Sequence, residues 1–212
     1  AALVPAVTFV FLWRYLAPIA AGGELVGTLD WGLLHGLRLG FRLDGLSLVF
    51  ALAISGIGAF ILVYSGKYLA GHPHRGRFLS FMLMFMGAMQ GLVLSDNLVA
   101  LYVFWELTSV TSFLLIGFDG WRMAARRAAM QALVVTTIGG LALLVAAILF
   151  ERVGGSWAIS ELGRLTDHVA YPVLLGLVLV AAFTKSAQFP FQVWLPNAME
   201  APTPVSAFLH SA

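Results

Sequence analysis

Long apolar runs separated by short polar segments are the dominant pattern of this 212-residue chain. An apolar stretch of about 18 residues or more is long enough to cross the hydrocarbon core of a bilayer as a helix. The runs predict helices at about 2–21, 45–65, 78–94, 98–118, 128–150 and 172–188, and a last one from about 204. We therefore predict an all-α polytopic membrane protein with six to seven membrane helices.

Several polar residues mark where these helices begin, end or turn. Asp44 precedes the second run and is a typical N-cap, and "SDN" at 95–97 is short enough to predict a tight helical hairpin. Arg14 interrupts the first run. The segment "GLLHGLRLGFRLDG" (32–45) alternates weakly between apolar and polar residues, which predicts a short β-hairpin on the outer face.

Composition narrows the class of protein. The chain is 60% hydrophobic and 10% charged, whereas soluble domains carry about 25% charged residues. The absence of cysteine excludes a disulfide framework and thiolate metal sites, and the dispersed basic residues, with a net charge of +2, give little support to a nucleic-acid partner. The sequence has no phosphate-binding glycine loop, metal-ligand cluster or nucleophile triad, so we predict no cofactor. Because the chain opens within an apolar run and ends within a helix, we expect it to be part of a longer polypeptide.

The charges of the loops predict the orientation. Loops 66–77 and 119–127 together carry a net charge of +5, whereas segments 22–44 and 151–169 carry −1 each. Loops rich in lysine and arginine stay in the cytoplasm. We therefore predict that loops 66–77 and 119–127 lie on the cytoplasmic side.

Two ionisable residues lie deep in predicted spans. Glu106 comes nine residues into its span, about 12–13 Å from the span's start, where a charged carboxylate costs about 2.5–3.5 kcal/mol. Lys185 comes 13 residues after Pro172. The functional interpretation is a proton-titratable pair; the structural alternatives are a protonated glutamic acid, with Ser109 as candidate partner, and a lysine that reaches the headgroups.

Prolines interrupt the segment that follows Lys185. Pro190 removes the helical partner of the Ser186 carbonyl, and Pro196 that of the Gln192 carbonyl. Within a membrane such groups are tolerated only where protein or a hydrated cavity satisfies them. A broken helix beside an intramembrane lysine is therefore typical of a hydrated proton path.

Other polar residues leave alternatives open. His210, six residues after Pro204, is either a proton relay or a structural histidine. For Glu200 we expect a position near a helix end, and for His72 and His74 a solvated loop rather than a metal site. Arg14 either pairs with a neighbouring helix or reaches the interface.

Three stretches resemble a known family. They are "FRLDGLSLVFAL" (41–52), "FWELTSVTSFLLIGF" (104–118) and "AFTKSAQFPFQVWLPNAMEAPTPVSAFLHSA" (182–212). They are similar to the proton-translocating antiporter-like subunits shared by respiratory complex I and the Mrp multisubunit Na+/H+ antiporters, and most similar to the large A-type subunits of the latter. Asn197 stands where the family usually has an aspartate.

The resemblance implies a fold and a function. Residues 1–212 would be the N-terminal part, truncated at both ends, of an antiporter-like bundle of 14 or more helices. Glu106 would be the glutamate of the fifth helix, Lys185 the lysine of a broken seventh helix and His210 the relay residue of the eighth. The implied function is Na+/H+ (or Li+, K+) antiport in the cytoplasmic membrane of a prokaryote, together with the other Mrp subunits. The alternatives are a proton-pumping subunit of a complex I-like oxidoreductase or hydrogenase, which would belong to an enzyme, and a membrane scaffold.

Overall fold

The computed structural model describes residues 1–30 and 38–211. Within these residues the helices are α1 Leu3–Trp13, α2 Leu16–Ala20, α3 Gly45–Tyr68, α4 Arg75–Leu94, α5 Leu98–Ile116, α6 Met123–Gly154, α7 Tyr171–Lys185, α8 Trp194–Asn197 and α9 Thr203–Ser211. Two 3₁₀ turns cover Ile159–Leu165 and Ala198–Glu200. In the described part of the chain, α3, α4, α5 and α6 are long and apolar enough to cross a membrane, and α1 and α7 are shorter apolar helices. The predicted all-α membrane class is confirmed.

The helix starts follow from local capping. Asp44 begins α3 through a reciprocal capping box: its carboxylate accepts from the Ser47 backbone N–H at 2.9 Å, and the Ser47 hydroxyl accepts from the Asp44 N–H at 2.7 Å. Asn97 begins α5, and its side-chain oxygen accepts from the N–H groups of Val99 and Ala100. The predicted Asp44 cap and the tight turn at 95–97 are therefore confirmed.

Some helix ends differ from the prediction. The first span, predicted as one run over about 2–21, is divided into α1 and α2 at Arg14 and Tyr15. The helix α6 is longer than the predicted 128–150: at 1.5 Å per residue its 32 residues extend for about 48 Å, well beyond a hydrocarbon core of about 30 Å. Apolar content measures only the part of a helix within lipid, so the charged turns at both ends of α6 were missed.

A β-hairpin lies at one end of the helical bundle. Strand β1 (Leu25–Asp30) pairs antiparallel with β2 (Arg38–Leu43), with Leu25 opposite Leu43. The hairpin was predicted within 32–45, but only its second strand lies there, because β1 precedes that segment; residues 31–37 lie outside the described chain. The Asp96 N–H donates to the Gly40 carbonyl at 2.8 Å, so the hairpin is held against the α4–α5 turn.

The two basic loops meet at the opposite end of the bundle from this hairpin. The ring of His72 lies 5.6 Å from that of Phe118, and Arg77 donates to the Phe118 carbonyl at 3.5 Å. Loops 66–77 and 119–127 thus share one side, as the charge pattern predicted. Their cytoplasmic location stays a prediction.

The main apolar core joins α3, α4, α5 and α6 to the last helix. Val205 and Phe208 of α9 are almost completely buried, and the Phe208 ring makes an edge contact with Phe85 of α4 at 5.5 Å. This burial fixes the position of α9, and with it the segment between α7 and α9, which contains Pro190, Pro196 and Pro202.

Candidate functional site

Glu106 lies at the middle of α5, as the ninth of its 19 residues. The side chain is partly buried, and its Oε1 atom has no hydrogen-bond partner among the described residues. The Thr137 side chain of α6 interacts with the same carboxyl group. One carboxylate oxygen is therefore available to another donor.

Lys185 is the last residue of α7 and reaches across to α5. Its Nζ atom donates to the Ser109 hydroxyl at 2.7 Å and to the Trp105 carbonyl at 3.2 Å. It also lies 5.3 Å from the centre of the Trp105 ring. The ammonium group is thus bound inside the bundle, and the snorkelling alternative does not describe this arrangement.

The structure brings Glu106 and Lys185 close together without joining them directly. Within the described chain no ion pair within 4.0 Å connects them, although the two charges interact electrostatically. Ser109, the candidate partner of Glu106, instead accepts from Lys185 and donates to the Trp105 carbonyl. That expectation is wrong because the single hydroxyl proton of Ser109 is donated to the Trp105 carbonyl on its own helix.

Two adjacent glycines of α6 allow this close approach. A Cβ atom on Gly140 would collide with Oε1 of Glu106, and one on Gly139 would collide with the hydroxyl of Thr184 on α7. Consecutive residues of a helix point about 100° apart, so the pair accommodates α5 on one side and α7 on the other. Both α5 and α7 therefore pack closely against the backbone of α6 at these glycines.

The break after Lys185 differs in detail from the prediction. The helix α7 ends at Lys185, five residues before Pro190, and Ala187 adopts a left-handed conformation with φ of 52°. The carbonyl at the break is that of Thr184, which accepts from the Trp194 indole N–H at 2.9 Å. The prediction assumed that the helix continues to the proline. For the same reason the Gln192 carbonyl is not left unpaired; it accepts from the Leu195 N–H at 3.3 Å.

Sequence reasoning missed Trp194 and Thr137. Trp194 is buried, and a buried indole N–H needs an acceptor, so a tryptophan next to a helix break was an available signal. Thr137 had no such signal, because its role depends on how α6 is rotated against α5.

The remaining sequence-predicted residues lie around the site. His210 belongs to α9, whose backbone the structure describes, but its side chain lies outside the described side chains, so its predicted relay role is untested. Glu200 lies just before α9 and forms an ion pair with Arg122 at 2.6 Å. Asn197 donates to the Gln131 side chain of α6 at 2.6 Å. In the described part of the chain, no group of three or more histidine, aspartate or glutamate residues is placed to hold a metal ion.

The fold and the site together define a polytopic membrane subunit with an acid and a lysine inside its helical bundle. The chain belongs to the NADH:quinone oxidoreductase/Mrp antiporter transmembrane family, whose sequence model matches residues 95–212. The model of the NADH-ubiquinone oxidoreductase (complex I) chain 5 N-terminus matches residues 34–79. The family resemblance is thereby confirmed.

Individual relatives agree with this assignment. The chain is 45% identical over 99% of its length to the Na(+)/H(+) antiporter subunit A1 of Staphylococcus haemolyticus (strain JCSC1435), and equally to that of Staphylococcus aureus (strain JH9). It covers 26% and 27% of those proteins, so the chain spans about a quarter of the length of the curated relatives it matches. These relatives are named as transporter subunits rather than enzymes, and they come from bacteria, in agreement with the predicted location in a prokaryotic membrane.

Solved structures have the same fold. The Mrp complex from Dietzia sp. DQ12-45-1b matches with a TM-score of 0.84 and 40% identity, over 98% of this chain and 23% of that one. The membrane-bound sulfane sulfur reductase, an archaeal respiratory membrane complex, matches with a TM-score of 0.81, over 99% of this chain and 34% of that one. Its identity is 22%, so this second likeness concerns the fold alone.

Proposed function

We propose that this chain is part of a subunit of an Mrp-type multisubunit Na+/H+ antiporter, and that Glu106, Lys185 and His210 form its proton path. One observation carries the proposal: the ammonium group at the end of α7 is bound on α5 within one helical turn of Glu106. Ionisable groups inside a membrane are costly, and those that face each other across helices mark ion and proton pathways.

The geometry supports a switch with two positions of the lysine. In the first position, Lys185 is bound by the Ser109 hydroxyl and the Trp105 carbonyl. In the second, Nζ moves along α5 to the free Oε1 atom of Glu106 and forms an ion pair. An ionised Glu106 attracts the ammonium group and a protonated Glu106 releases it, so protonation of the acid decides where the lysine lies.

Neighbouring groups hold the two partners at this spacing. Thr137 interacts with the Glu106 carboxyl, and Gly140 leaves the space that its Oε1 atom occupies. The Trp194 indole binds the Thr184 carbonyl and so fixes the last turn of α7, from which Lys185 projects. The reach of the lysine is then set by its own four-carbon chain rather than by movement of the helix.

His210 continues the path in this proposal. It lies in α9, which packs against α3 and α5 and follows the broken segment after Lys185. A histidine titrates near neutral pH and can accept a proton from one side and release it on the other. Its role rests on the family pattern.

Antiport is favoured over the redox-pump alternative by sequence identity. The family description names both NADH:quinone oxidoreductase and Mrp antiporter. The identity of the chain is 45% to a protein named as a Na(+)/H(+) antiporter subunit and 40% to the matching chain of the Mrp complex from Dietzia sp. DQ12-45-1b. We therefore assign Na+ and protons as the transported ions and the other Mrp subunits as partners.

The experiment is Na+-dependent proton exchange in everted membrane vesicles that contain the full-length subunit in its assembled complex. Glu106→Gln and Lys185→Ala should each lower the exchange rate by about a hundredfold, the size expected when a positioned proton-transfer group is lost. Glu151→Gln, at the end of α6, is the matched control and should retain full exchange. Full exchange by both site variants in an assembled complex would refute the proposed function.

Ser109 gives a finer test of the switch. Ser109→Ala removes an acceptor that the charged lysine needs and the neutral amine does not, so we expect a few-fold lower rate and a pH profile shifted to lower pH. Among the described groups, Glu106 is the titratable one that acts on Lys185. Ser109→Thr should restore the profile because it keeps the hydroxyl.

The control for this test is Ser112→Ala. Ser112 lies on the next turn of α5, where its hydroxyl bonds to the Ser109 carbonyl and not to Lys185. An equal effect of Ser109→Ala and Ser112→Ala would mean that Ser109 only stabilises α5, and the first position of the lysine would have to be abandoned.

A further inference from the structure

A cleft at the basic end of the bundle has no role in the proposed proton path. It has a volume of about 610 Å³ and lies between the start of α4, the end of α5 and the start of α6. Its mouth carries His74, Arg77, Arg126 and Arg127, and we refer to it as the basic cleft.

The arginines at its mouth have no acidic partners. In the described part of the chain, Arg77, Arg126 and Arg127 form no ion pair with a carboxylate. Arg77 is oriented by the Phe118 carbonyl and lies 5.3 Å from the Phe118 ring. Nearby Arg122, by contrast, is neutralised by Glu200. Three exposed guanidinium groups therefore converge on one cleft with their charges uncompensated.

The wall of the cleft becomes apolar with depth. Phe81 lies one turn after Arg77 on α4, and Met130 lies one turn after Arg126 on α6, each about 6 Å farther along its helix. Phe113 of α5 contributes to the same apolar wall. The basic cleft thus offers positive charge at one level and hydrocarbon contact at the next.

These two levels coincide with the boundary of the membrane. Arg77 and Arg126 occupy the first turns of α4 and α6, two candidate spans, so the mouth lies where headgroups lie. Trp121 at the rim is 69% exposed, and tryptophan is enriched at this interface. A water-soluble acidic peptide would leave the apolar wall uncovered, whereas a lipid has a charged and an apolar part at these depths.

We propose that the basic cleft binds an anionic phospholipid. The guanidinium groups of Arg126, Arg127 and Arg77 hold the phosphate, for which the planar, fork-shaped donors of arginine are suited. The first methylene groups of the acyl chains lie on Phe81, Phe113 and Met130. Basic pockets between membrane helices on the cytoplasmic side are typical sites for such headgroups. This inference does not depend on the proton path.

The experiment uses the full-length subunit in its purified, assembled complex. The complex is reconstituted in vesicles of phosphatidylcholine that contain a trace of photoreactive phosphatidylglycerol or photoreactive phosphatidylcholine, and the labelled peptides are mapped by mass spectrometry. We expect phosphatidylglycerol to label segments 74–81 and 121–130 in preference to phosphatidylcholine. Arg126→Gln/Arg127→Gln should lower this labelling about fivefold for each arginine removed.

Matched variants test whether labelling depends on the arginines within the cleft or only on the total basic charge at that side of the bundle. Lys67→Gln/Arg75→Gln removes the same charge on the same side but not from the cleft, and should leave labelling unchanged. Arg126→Lys/Arg127→Lys should retain part of it. Met130→Trp, which fills the apolar wall without changing charge, should lower labelling even if the double glutamine variant fails to assemble.

Four results would overturn the proposal. The first is equal labelling of the cleft by the two lipids. The second is an equal loss of labelling in Lys67→Gln/Arg75→Gln and Arg126→Gln/Arg127→Gln. The third is displacement of the label by inorganic phosphate alone, which would make the cleft a site for free phosphate. The fourth is cross-linking of the cleft to another protein segment, which would mean that protein, not lipid, occupies it.

Discussion

Asp96 and Glu106 are two partly buried carboxylates ten residues apart, and they differ in their hydrogen bonds. Asp96 accepts from the Ser160 N–H at 3.0 Å with one oxygen and from the Ser160 hydroxyl at 3.1 Å with the other. Its backbone also bonds to Gly40 and Ile159. Glu106, in the middle of α5, keeps one oxygen without a partner among the described residues.

The difference separates a structural acid from a group that can change partners. Asp96 joins the hairpin, the α4–α5 turn and the segment before α7 near the end of the bundle, and each of its carboxylate oxygens has a partner. An intramembrane carboxylate with a free oxygen is costly, so its presence points to a function, and Lys185 binds within a turn of it. Asp96 and Glu106 therefore differ in whether each carboxylate oxygen has a hydrogen-bond partner, and not only in their depth.

The largest loss of stability and antiport should come from filling the space around Glu106. Gly140→Ala places a methyl group where Oε1 of Glu106 lies, so we expect a loss of about 1–3 kcal/mol in stability, together with lower antiport. The measurements are thermal unfolding of the purified complex and exchange in vesicles.

Gly87→Ala on α4 is the control for this change. A Cβ atom there meets nothing within 4 Å, and alanine is the better helix former by about 0.5–1 kcal/mol. If both alanine variants behaved alike, the space around Glu106 would have no special importance.

A smaller loss of stability is expected from substitution of Asp96. Asp96→Ala removes both bonds from Ser160 and should lower stability by about 1–2 kcal/mol. Exchange per assembled complex should be unchanged, which vesicle assays normalised to assembled protein can measure. Asp96→Asn keeps one acceptor oxygen and should lose roughly half as much. A selective loss of exchange in Asp96→Asn would remove the distinction between the two carboxylates.

The smallest loss of stability should come from Asp44, the acid that caps α3. Asp44→Ala removes the α3 cap and should cost about 1 kcal/mol. The hydrogen bond from the Ser47 backbone N–H holds the pKa of the Asp44 carboxyl below its usual value. Its contribution is therefore complete above the unfolded-state pKa of about 3.9 and is lost as the pH falls through the lowered folded-state pKa.

Unfolding of the complex at neutral pH and near pH 3 measures how the contribution of Asp44 to stability changes with pH. The difference between wild type and Asp44→Ala should shrink at the lower pH. A difference that grows on acidification would mean that the carboxylate is not the stabilising form.

The parts that could be predicted from the sequence are those decided by neighbours along the chain. Asp44 was identified as a cap because capping involves residues only three apart. Glu106 and Lys185 were identified because charge in an apolar run is visible without a fold. The upstream strand of the hairpin was missed because strand pairing depends on a partner rather than on local alternation.

The sequence by itself determined the membrane class, most helix starts, the intramembrane acid and lysine, and the family. Only the tertiary structure decided which groups meet: Lys185 with Ser109 and Trp105, Glu106 with Thr137 and Gly140, and Trp194 with the Thr184 carbonyl. The physical reason is that span position follows from the transfer of one segment into lipid, which is a local sum over residues. Contacts between α5, α6 and α7 depend instead on the rotation of each helix about its axis, and packing sets that rotation.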